Sequence, residues 1–275
     1  MGPARNRRRP NWPVPIAPRG GSAEATWTLH FHINGCQKIA FNLITILFFA
    51  TLCLAQQNIP SSSRSRGAIT RVKPIIMKEL AVKKIEFGAP LFIRIFKEEK
   101  SLEVWLKKDT HFKLFKTYPI CTYGSGGLGP KIKQGDGKAP EGFYFVTPFQ
   151  LNPISNFHLG FHLGYPNRYD RSHGRTGSAL MVHGSGVSIG CYAVTDGDIE
   201  EIYTLVDAAF RNGHSFFRIH IFPFKMTNEN MKKYTESEWY GFWSNLKKGH
   251  DFFEINDKIP PNVEVRGGKY VFKTQ

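Results

Sequence analysis

The sequence predicts a mainly β domain of the α+β class, a strand scaffold with helical additions. Three observations carry that reading. Apolar residues alternate with period two from Pro90 to Phe115, glycines crowd the stretch Gly124–Pro140, and one capped amphipathic segment follows Thr195 between two later strand patterns. At 275 residues, with 41% hydrophobic residues and 23 Phe, the chain is not a wholly disordered polymer and has room for one or two domains with a sizeable core. Four cysteines are too few for a disulfide scaffold of this size.

Residues 1–35 are rich in Pro, Gly and Arg, lack hydrophobic periodicity and read as unfolded. Lys38 then precedes the apolar run Ile39–Ala55, which falls short of the ~20 residues a membrane span needs. A basic flank, an apolar stretch and a terminal small residue describe a secretory leader, so 1–55 is expected to be removed after Ala55. An uncleaved membrane anchor is the alternative, and a true start further in than Met1 also fits the long preamble. Leu52 opposes a lipoprotein signal at Cys53, and polar Gln56-Gln57 with the Ser/Arg-rich Ser61–Gly67 opposes a buried helix. Residues 56–84 are expected to be a linker and N-terminal segment, with one short helix over Lys73–Phe87, and 85–275 a single domain.

Within that domain Leu91, Ile93 and Ile95 alternate with Phe92, Arg94 and Phe96. Leu102, Val104 and Leu106 repeat the pattern, then Phe112, Leu114 and Phe115, which predicts an antiparallel meander joined by polar connectors. Gly124–Pro140 holds six glycines and must be a long loop, of the kind that carries function when ordered. Strand character resumes at Phe143–Phe149, Phe157–Leu163, Ser178–His183 and Ser215–Phe222. Thr195-x-x-Asp198 predicts a helix N-terminus, Ile199, Ile202, Tyr203, Val206, Ala209 and Phe210 follow at helical spacing, and Gly213 stops it. A second helix is expected over Asn228–Lys248, with Trp239, Phe242, Trp243 and Leu246 packing on the β domain. Val263–Phe272 is expected to be a hairpin turning at Gly267-Gly268.

The chemistry concentrates in Ser178–Thr195, which reads SALMVHGSGVSIGCYAVT. A thiolate is the nucleophilic form of Cys, and His183, eight residues before Cys191, can reach it across a turn and take its proton. The backbone N–H groups of Gly190 and Cys191 can face a developing oxyanion. The bare residues equally admit a small buried thiol and a turn histidine.

His183-Gly184 followed by Ser188-x-Gly190-Cys191 resembles the signature of the YkuD-type L,D-transpeptidases. Ala139-Pro140-Glu141-Gly142-Phe143-Tyr144 is similar to that family's T/S-P-E-G-x-Y segment, and Tyr165-Pro166-Asn167 with Asp170 to its Y-P-N-x-x-D segment. IFKEEKSLEVWLK (95–107), GGLGPKIKQGDGKAPEGFY (126–144) and GCYAVTDGDIEEIY (190–203) resemble the YafK-like branch. The resemblance spans roughly 85–275 and implies a β-sandwich with added helices.

It also implies roles. Cys191 matches the nucleophile that attacks a diaminopimelate carbonyl and forms a thioester. His183 matches the general base, later the acid, and Gly184 the backbone carbonyl that orients it. Gly190 and Cys191 match the oxyanion donors, and Ser188 the serine of the family's S-H-G-C stretch. The family's common His before Gly-Cys is Ile189 here, and its Arg two residues after the Cys is Ala193. Contact with a substrate carboxylate must then come from elsewhere: Lys131, Arg168, Arg171 and Arg175 are the candidates, with Tyr165 and Ser188 as further substrate contacts.

No metal or organic cofactor is implied. His158 and His162 form H-x3-H on a segment read as strand, with no Cys or carboxylate at a supporting spacing for zinc. Cys121 reads as a core thiol or as a disulfide partner that would silence Cys191. Three functions compete. The first is an envelope cysteine L,D-transpeptidase acting on peptidoglycan stem peptides. The second is an L,D-amidase or hydrolase of the same bonds, including release of peptidoglycan-linked protein. The third is a non-catalytic polymer-binding protein. The formal charge of +15 falls to +10 once 1–55 leave, with 31 basic and 21 acidic residues remaining. For an exported, periplasmic protein that balance suits anionic wall polymers rather than nucleic acid, with a membrane involved only through an uncleaved leader.

Overall fold

A computed structural model describes residues 59–274. The expected leader at 1–55 therefore lies outside the described residues. Among those described, no helix is long and apolar enough to cross a membrane.

The first element is a helix, α1 (Ser63–Lys83), where the sequence suggested a linker followed by a shorter helix. It begins ten residues before the predicted Lys73. Ser62 and Ser65 close a capping box, each side chain bonding the other's backbone N–H, so the Ser/Arg stretch that looked like linker is the first helical turn. Ala68, Val72, Ile76 and Leu80 recur every four residues and are buried. Pro74 inside the helix forgoes one backbone bond, which disguised the element as two pieces.

The meander follows as predicted: β1 (Leu91–Phe96), β2 (Ser101–Lys108) and β3 (His111–Pro119), antiparallel in order, with a bulge between Val104 and Trp105. After the long loop comes β4 (Gly142–Val146). A second sheet gathers β5 (Leu151–Asn152), β6 (Gly160–His162), β7 (Met181–His183) and β8 (Tyr192–Ala193). A short helix, α2 (Arg168–Ser172), lies between β6 and β7. Helix α3 (Asp196–Arg211) starts at Thr195, whose hydroxyl accepts from the Asp198 N–H. Strand β9 (Phe217–Phe222) then enters the first sheet, parallel to β1 and antiparallel to β4, giving the order β3-β2-β1-β9-β4. The predicted single helix after Asn228 is two, α4 (Asn228–Lys233) and α5 (Tyr240–Ile255), separated by a turn in which the Ser237 N–H bonds the Tyr234 carbonyl. The hairpin β10 (Asn262–Arg266) and β11 (Lys269–Lys273) ends the described chain.

The five-stranded sheet is covered on both faces, which is why β1 is buried along its whole length. Ile93, Ile95, Ile219 and Ile221 pack into a core shared with α1, α3 and β7. Phe96, Phe143 and Phe222 pack the other face against Trp243 and Leu246 of α5 and Tyr270 of β11. The fold is mixed α+β, as the alternating patterns predict.

One buried ion pair ties these layers to the glycine-rich loop. Lys97, just past β1, and Glu141, just before β4, have fully buried side chains 2.9 Å apart. Lys97 Nζ also donates to the carbonyls of Gly129 (2.9 Å) and Ala139 (3.3 Å). Glu141 accepts from the Gly129 N–H and from Trp243 Nε1, both at 2.8 Å. Burial pushes the Lys97 ammonium down from its usual range, and Glu141 pulls it back. Removing one member leaves a buried charge without its counter-ion, a loss of about 3–5 kcal/mol. Lys97→Met should therefore lower the urea-unfolding free energy by about that much, and Lys97→Met with Glu141→Gln should be less destabilised than the single variant. Equal losses in the two proteins would show that the pair is not coupled.

Candidate active site

The site is built where β7 and β8 run parallel, with Val182 opposite Tyr192 and His183 opposite Ala193. Extending that register by one residue sets Cys191 beside Met181, and the Met181 N–H points at Cys191 Sγ at 3.4 Å. That bond sets the Cys191 thiol against the start of β7, the strand that ends in His183. The segment between His183 and Cys191 folds back as a tight turn. The Gly186 N–H bonds the Val194 carbonyl, the Val194 N–H bonds the His183 carbonyl, and the Ser185 N–H bonds Asp196 Oδ1 at 2.7 Å. Gly184 is tightly enclosed: a Cβ there would lie 2.5 Å from Asp196 Oδ1, which would have to give up its place against the turn.

His183 is held on three sides. Its Nδ1 lies 2.7 Å from its neighbour's carbonyl, Gly184 O. A carbonyl only accepts, so Nδ1 carries the hydrogen and Nε2 keeps the lone pair. The Phe157 ring stacks on the imidazole at 4.4 Å between centroids. The Gly184 N–H reaches back to the carbonyls of Phe157 and Leu159. Burial lowers the His183 pKa below its ordinary value, and the Gly184 hydrogen bond raises it in part.

The Cys191 thiol is half-buried, and burial raises its pKa. The Met181 N–H, the Ser188 hydroxyl and the positive charge of Lys131 oppose that rise. Sγ in turn points at the Ala179 carbonyl at 3.6 Å. The N–H groups of Gly190 and Cys191 converge on one oxygen, Ser188 Oγ, at 3.0 and 2.6 Å. Both amides are thus taken up by the Ser188 hydroxyl. The glycine-rich loop packs on the turn from outside: a Cβ at Gly124 would sit 2.3 Å from the Gly137 carbonyl and 2.9 Å from the Gly190 nitrogen.

The predicted carboxylate contacts are placed differently from the expectation. Lys131 is not a solvated cation, for it bonds Asp136 Oδ1 at 2.7 Å and the Lys133 carbonyl at 3.1 Å. Arg175 is buried against Asp170 at 2.9 Å with its guanidinium over the rings of Tyr169 and Phe242. Composition showed their charge but not the acids that meet it. Tyr165 is half-buried and donates to the Lys131 and Thr176 carbonyls, which fastens the loop rather than leaving the hydroxyl to a ligand. Arg171 bonds the Pro166 carbonyl, and Arg168 is exposed.

His158 and His162 do not share a strand face: His158 is in a left-handed turn bonded to Glu200 at 2.8 Å, and only His162 lies in β6. Among the described residues no group of His, Cys, Asp or Glu is placed to hold a metal ion. Cys121 and Cys191 are both free thiols, and Cys121 is exposed rather than the expected core thiol, with its Sγ 3.6 Å from where a Cβ on Gly186 would stand. Phe157 and Asp196 were missed by the sequence. Phe157 looked like one apolar residue in a strand, and Asp196 like an ordinary first-turn acid.

A family profile for the L,D-transpeptidase catalytic domain, YkuD, matches residues 91–214. The chain is 48% identical over 184 residues, 67% of its length and 74% of the relative's, to "Putative L,D-transpeptidase YafK" of Escherichia coli K12. The chain belongs to the YkuD L,D-transpeptidase family. The YafK of Escherichia coli O157:H7 matches equally. Among solved structures, the helical cell shape determining protein Pgp2 (K307A mutant) of Campylobacter jejuni is 20% identical at a TM-score of 0.40, covering 68% of this chain and 65% of that one. Bd1075 of Bdellovibrio bacteriovorus is 22% identical at 0.35, covering 65% and 78%. Mycobacterium tuberculosis L,D-transpeptidase 1 is 15% identical at 0.27, covering 48% and 61%. The YkuD match spans the meander, the loop, β7, β8 and α3, while α1, α5 and the hairpin lie outside it.

With the His183 pKa lowered and the Cys191 pKa raised, the resting pair at neutral pH is imidazole and thiol, not imidazolium and thiolate. Alkylation of Cys191 by iodoacetamide, followed by mass spectrometry of its peptide, should therefore keep accelerating into the alkaline range. A rate that levels off below pH 7 would show a preformed ion pair instead.

Proposed function

We propose that this protein is a cysteine acyltransferase of the cell envelope that acts on diaminopimelate-containing stem peptides of peptidoglycan. One observation carries the reading: the Gly184 carbonyl fixes the His183 tautomer and leaves Nε2 its lone pair, on the same short strand whose Met181 N–H bonds Cys191 Sγ. The thiol proton passes to His183 Nε2 as Sγ attacks the carbonyl at the L-centre of diaminopimelate. The bond to the following D-residue breaks, and His183 returns the proton to the departing amine. A thioester remains on Cys191, and an amine or water takes the acyl group. The Gly190 and Cys191 amides stabilise the oxyanion once the Ser188 hydroxyl turns away from them. A basic balance outside the leader and family membership support an envelope location.

A second reading, hydrolysis of the same bonds, is favoured by the mouth of the site. Ile189 is 91% exposed where much of the family carries a histidine, so His183 alone is left to deprotonate an acceptor there. Ala193 is fully buried opposite His183, with no room for the arginine that much of the family places there. An acceptor amine therefore has few fixed charges to hold it, whereas water needs none.

Incubation of the protein with muropeptides and with a peptidoglycan-linked protein, profiled by mass spectrometry, tests both readings. New cross-links mark the transferase, and shortened stems or freed protein alone mark the hydrolase. Cys191→Ala should remove either product, a fall on the order of 10^4-fold or more, and should abolish the thioester adduct. Unchanged products in Cys191→Ala would sink both.

A further inference from the structure

A second cavity, of about 260 Å3, opens between β4–β9 and the hairpin β10–β11. Cross-strand register builds its first wall: Phe143 pairs with His220 and Phe145 with Arg218, all on one face of the sheet. Val263, Val265 and Tyr270 of the hairpin form the facing wall, and Phe216 and Arg168 lie at the rim. Ile219 and Ile221, the intervening residues of β9, face the core shared with β7. The cavity and Cys191 are therefore on opposite sides of the five-stranded sheet.

The charge inside is one-sided. Two arginines and a histidine line the cavity, and no Asp or Glu does. Arg218 bonds the neutral Asn262 Oδ1 at 2.7 Å and lies over the Phe216 ring. Among the described residues neither Arg218 nor Arg168 forms an ion pair, although Arg94, Lys97, Lys131 and Arg175, all deeply buried, each meet a carboxylate. Glu264, the nearest acid on the hairpin, pairs with Arg266 and Lys273 on strand positions alternate to the cavity-lining valines. His220 is 1% exposed, and its Nδ1 has no hydrogen-bond partner. Burial keeps that imidazole neutral, so it brings no second charge to the cavity.

A half-buried guanidinium without a counter-ion and an unpartnered buried imidazole nitrogen are costly when left alone. The guanidinium is satisfied if a carboxylate enters, since it binds one through parallel N–H donors. The aromatic and valine walls suit a flat or ring-shaped body behind the carboxylate. The volume exceeds the roughly 150 Å3 that suffices for benzene. We propose that this cavity is a ligand site, separate from the thiol, for a small organic carboxylate carried on a compact ring or apolar body, with Arg218 as its anchor and Arg168 as a second cation beside it.

Titration calorimetry of the whole protein with benzoate, N-acetylmuramic acid and D-alanyl-D-alanine tests this, with benzamide as the uncharged control. At least one carboxylate should bind saturably below 10 mM, and benzamide at least tenfold more weakly. Which probe binds separates an aromatic, a sugar and a peptide source of the carboxylate. Arg218→Met should weaken binding at least tenfold, and Arg168→Gln, at an exposed position, should weaken it measurably in a protein of unchanged unfolding midpoint. Protein alkylated at Cys191 should bind as well as untreated protein. The proposal is overturned if no carboxylate binds by 10 mM, if the arginine variants bind undiminished, or if alkylation of Cys191 abolishes binding.

Discussion

The candidate site depends on a buried charge pair that takes no part in the chemistry. Lys97 and Glu141 sit between the central sheet, α5 and the glycine-rich loop, and every polar bond they make has a geometric consequence. The loop has almost no apolar residues with which to hold itself down. Its glycines give it freedom that only specific bonds can remove. Gly129 is pinned by both its N–H and its carbonyl, and Ala139 by its carbonyl. What lies between them is then fixed closely enough for the Lys138 carbonyl to approach Gly190 and for Gly137 to bracket Gly124. The turn that carries Cys191 is shaped from outside by a loop which is itself held by an ion pair.

The strand scaffold was legible because burial imposes a period of two that local sequence cannot hide. β1, β2, β3 and β9 fall where the alternation places them, and the hairpin turns at its paired glycines. Two helices were misjudged for physical reasons. α1 begins with Ser and Arg residues whose value lies in capping and in reaching distant carbonyls: Arg64 donates to Ser155 and His158, and Ser62 to Pro153. No periodicity records such bonds. The segment after Asn228 breaks at a turn with no proline or glycine in it, so the aromatic spacing read as continuous.

At the site, the motif residues were legible and the residues that pack around them were not. His183, Gly184, Ser188, Gly190 and Cys191 stand close in sequence, and the family resemblance singles them out where the bare spacing leaves a buried thiol and a turn histidine equally open. Phe157 and Asp196 act across the fold, one by stacking on the imidazole and one by gripping the turn at Ser185. The basic side chains were misjudged for a related reason. A cation is visible in the sequence, but whether it is free depends on a carboxylate that tertiary structure supplies. Lys131 and Arg175 have one, and Arg218 has none among the described residues.

The electrostatics of the thiol follow from that same accounting of partners. Lys131 is the positive charge that opposes the rise in the Cys191 pKa, yet Asp136 stands against it. Burial alone would push Asp136 up, but the hydrogen bonds from Lys131 and from the amides of Ile132, Lys133 and Lys138 bring it down to about 2. Asp136 is therefore charged at any pH at which a thiol chemistry runs, and the loop presents Cys191 with a dipole rather than a net cation. A dipole weakens with distance faster than a charge does, so Lys131 stabilises a thiolate only weakly. In the proposed reaction the burden of deprotonating Cys191 then falls on His183, a buried and neutral imidazole whose free nitrogen is set by the carbonyl of its own neighbour. A thiol kept protonated until a base and a substrate are both in place is less exposed to oxidation than a standing thiolate. For a half-buried cysteine that makes the neutral resting pair an advantage rather than a defect.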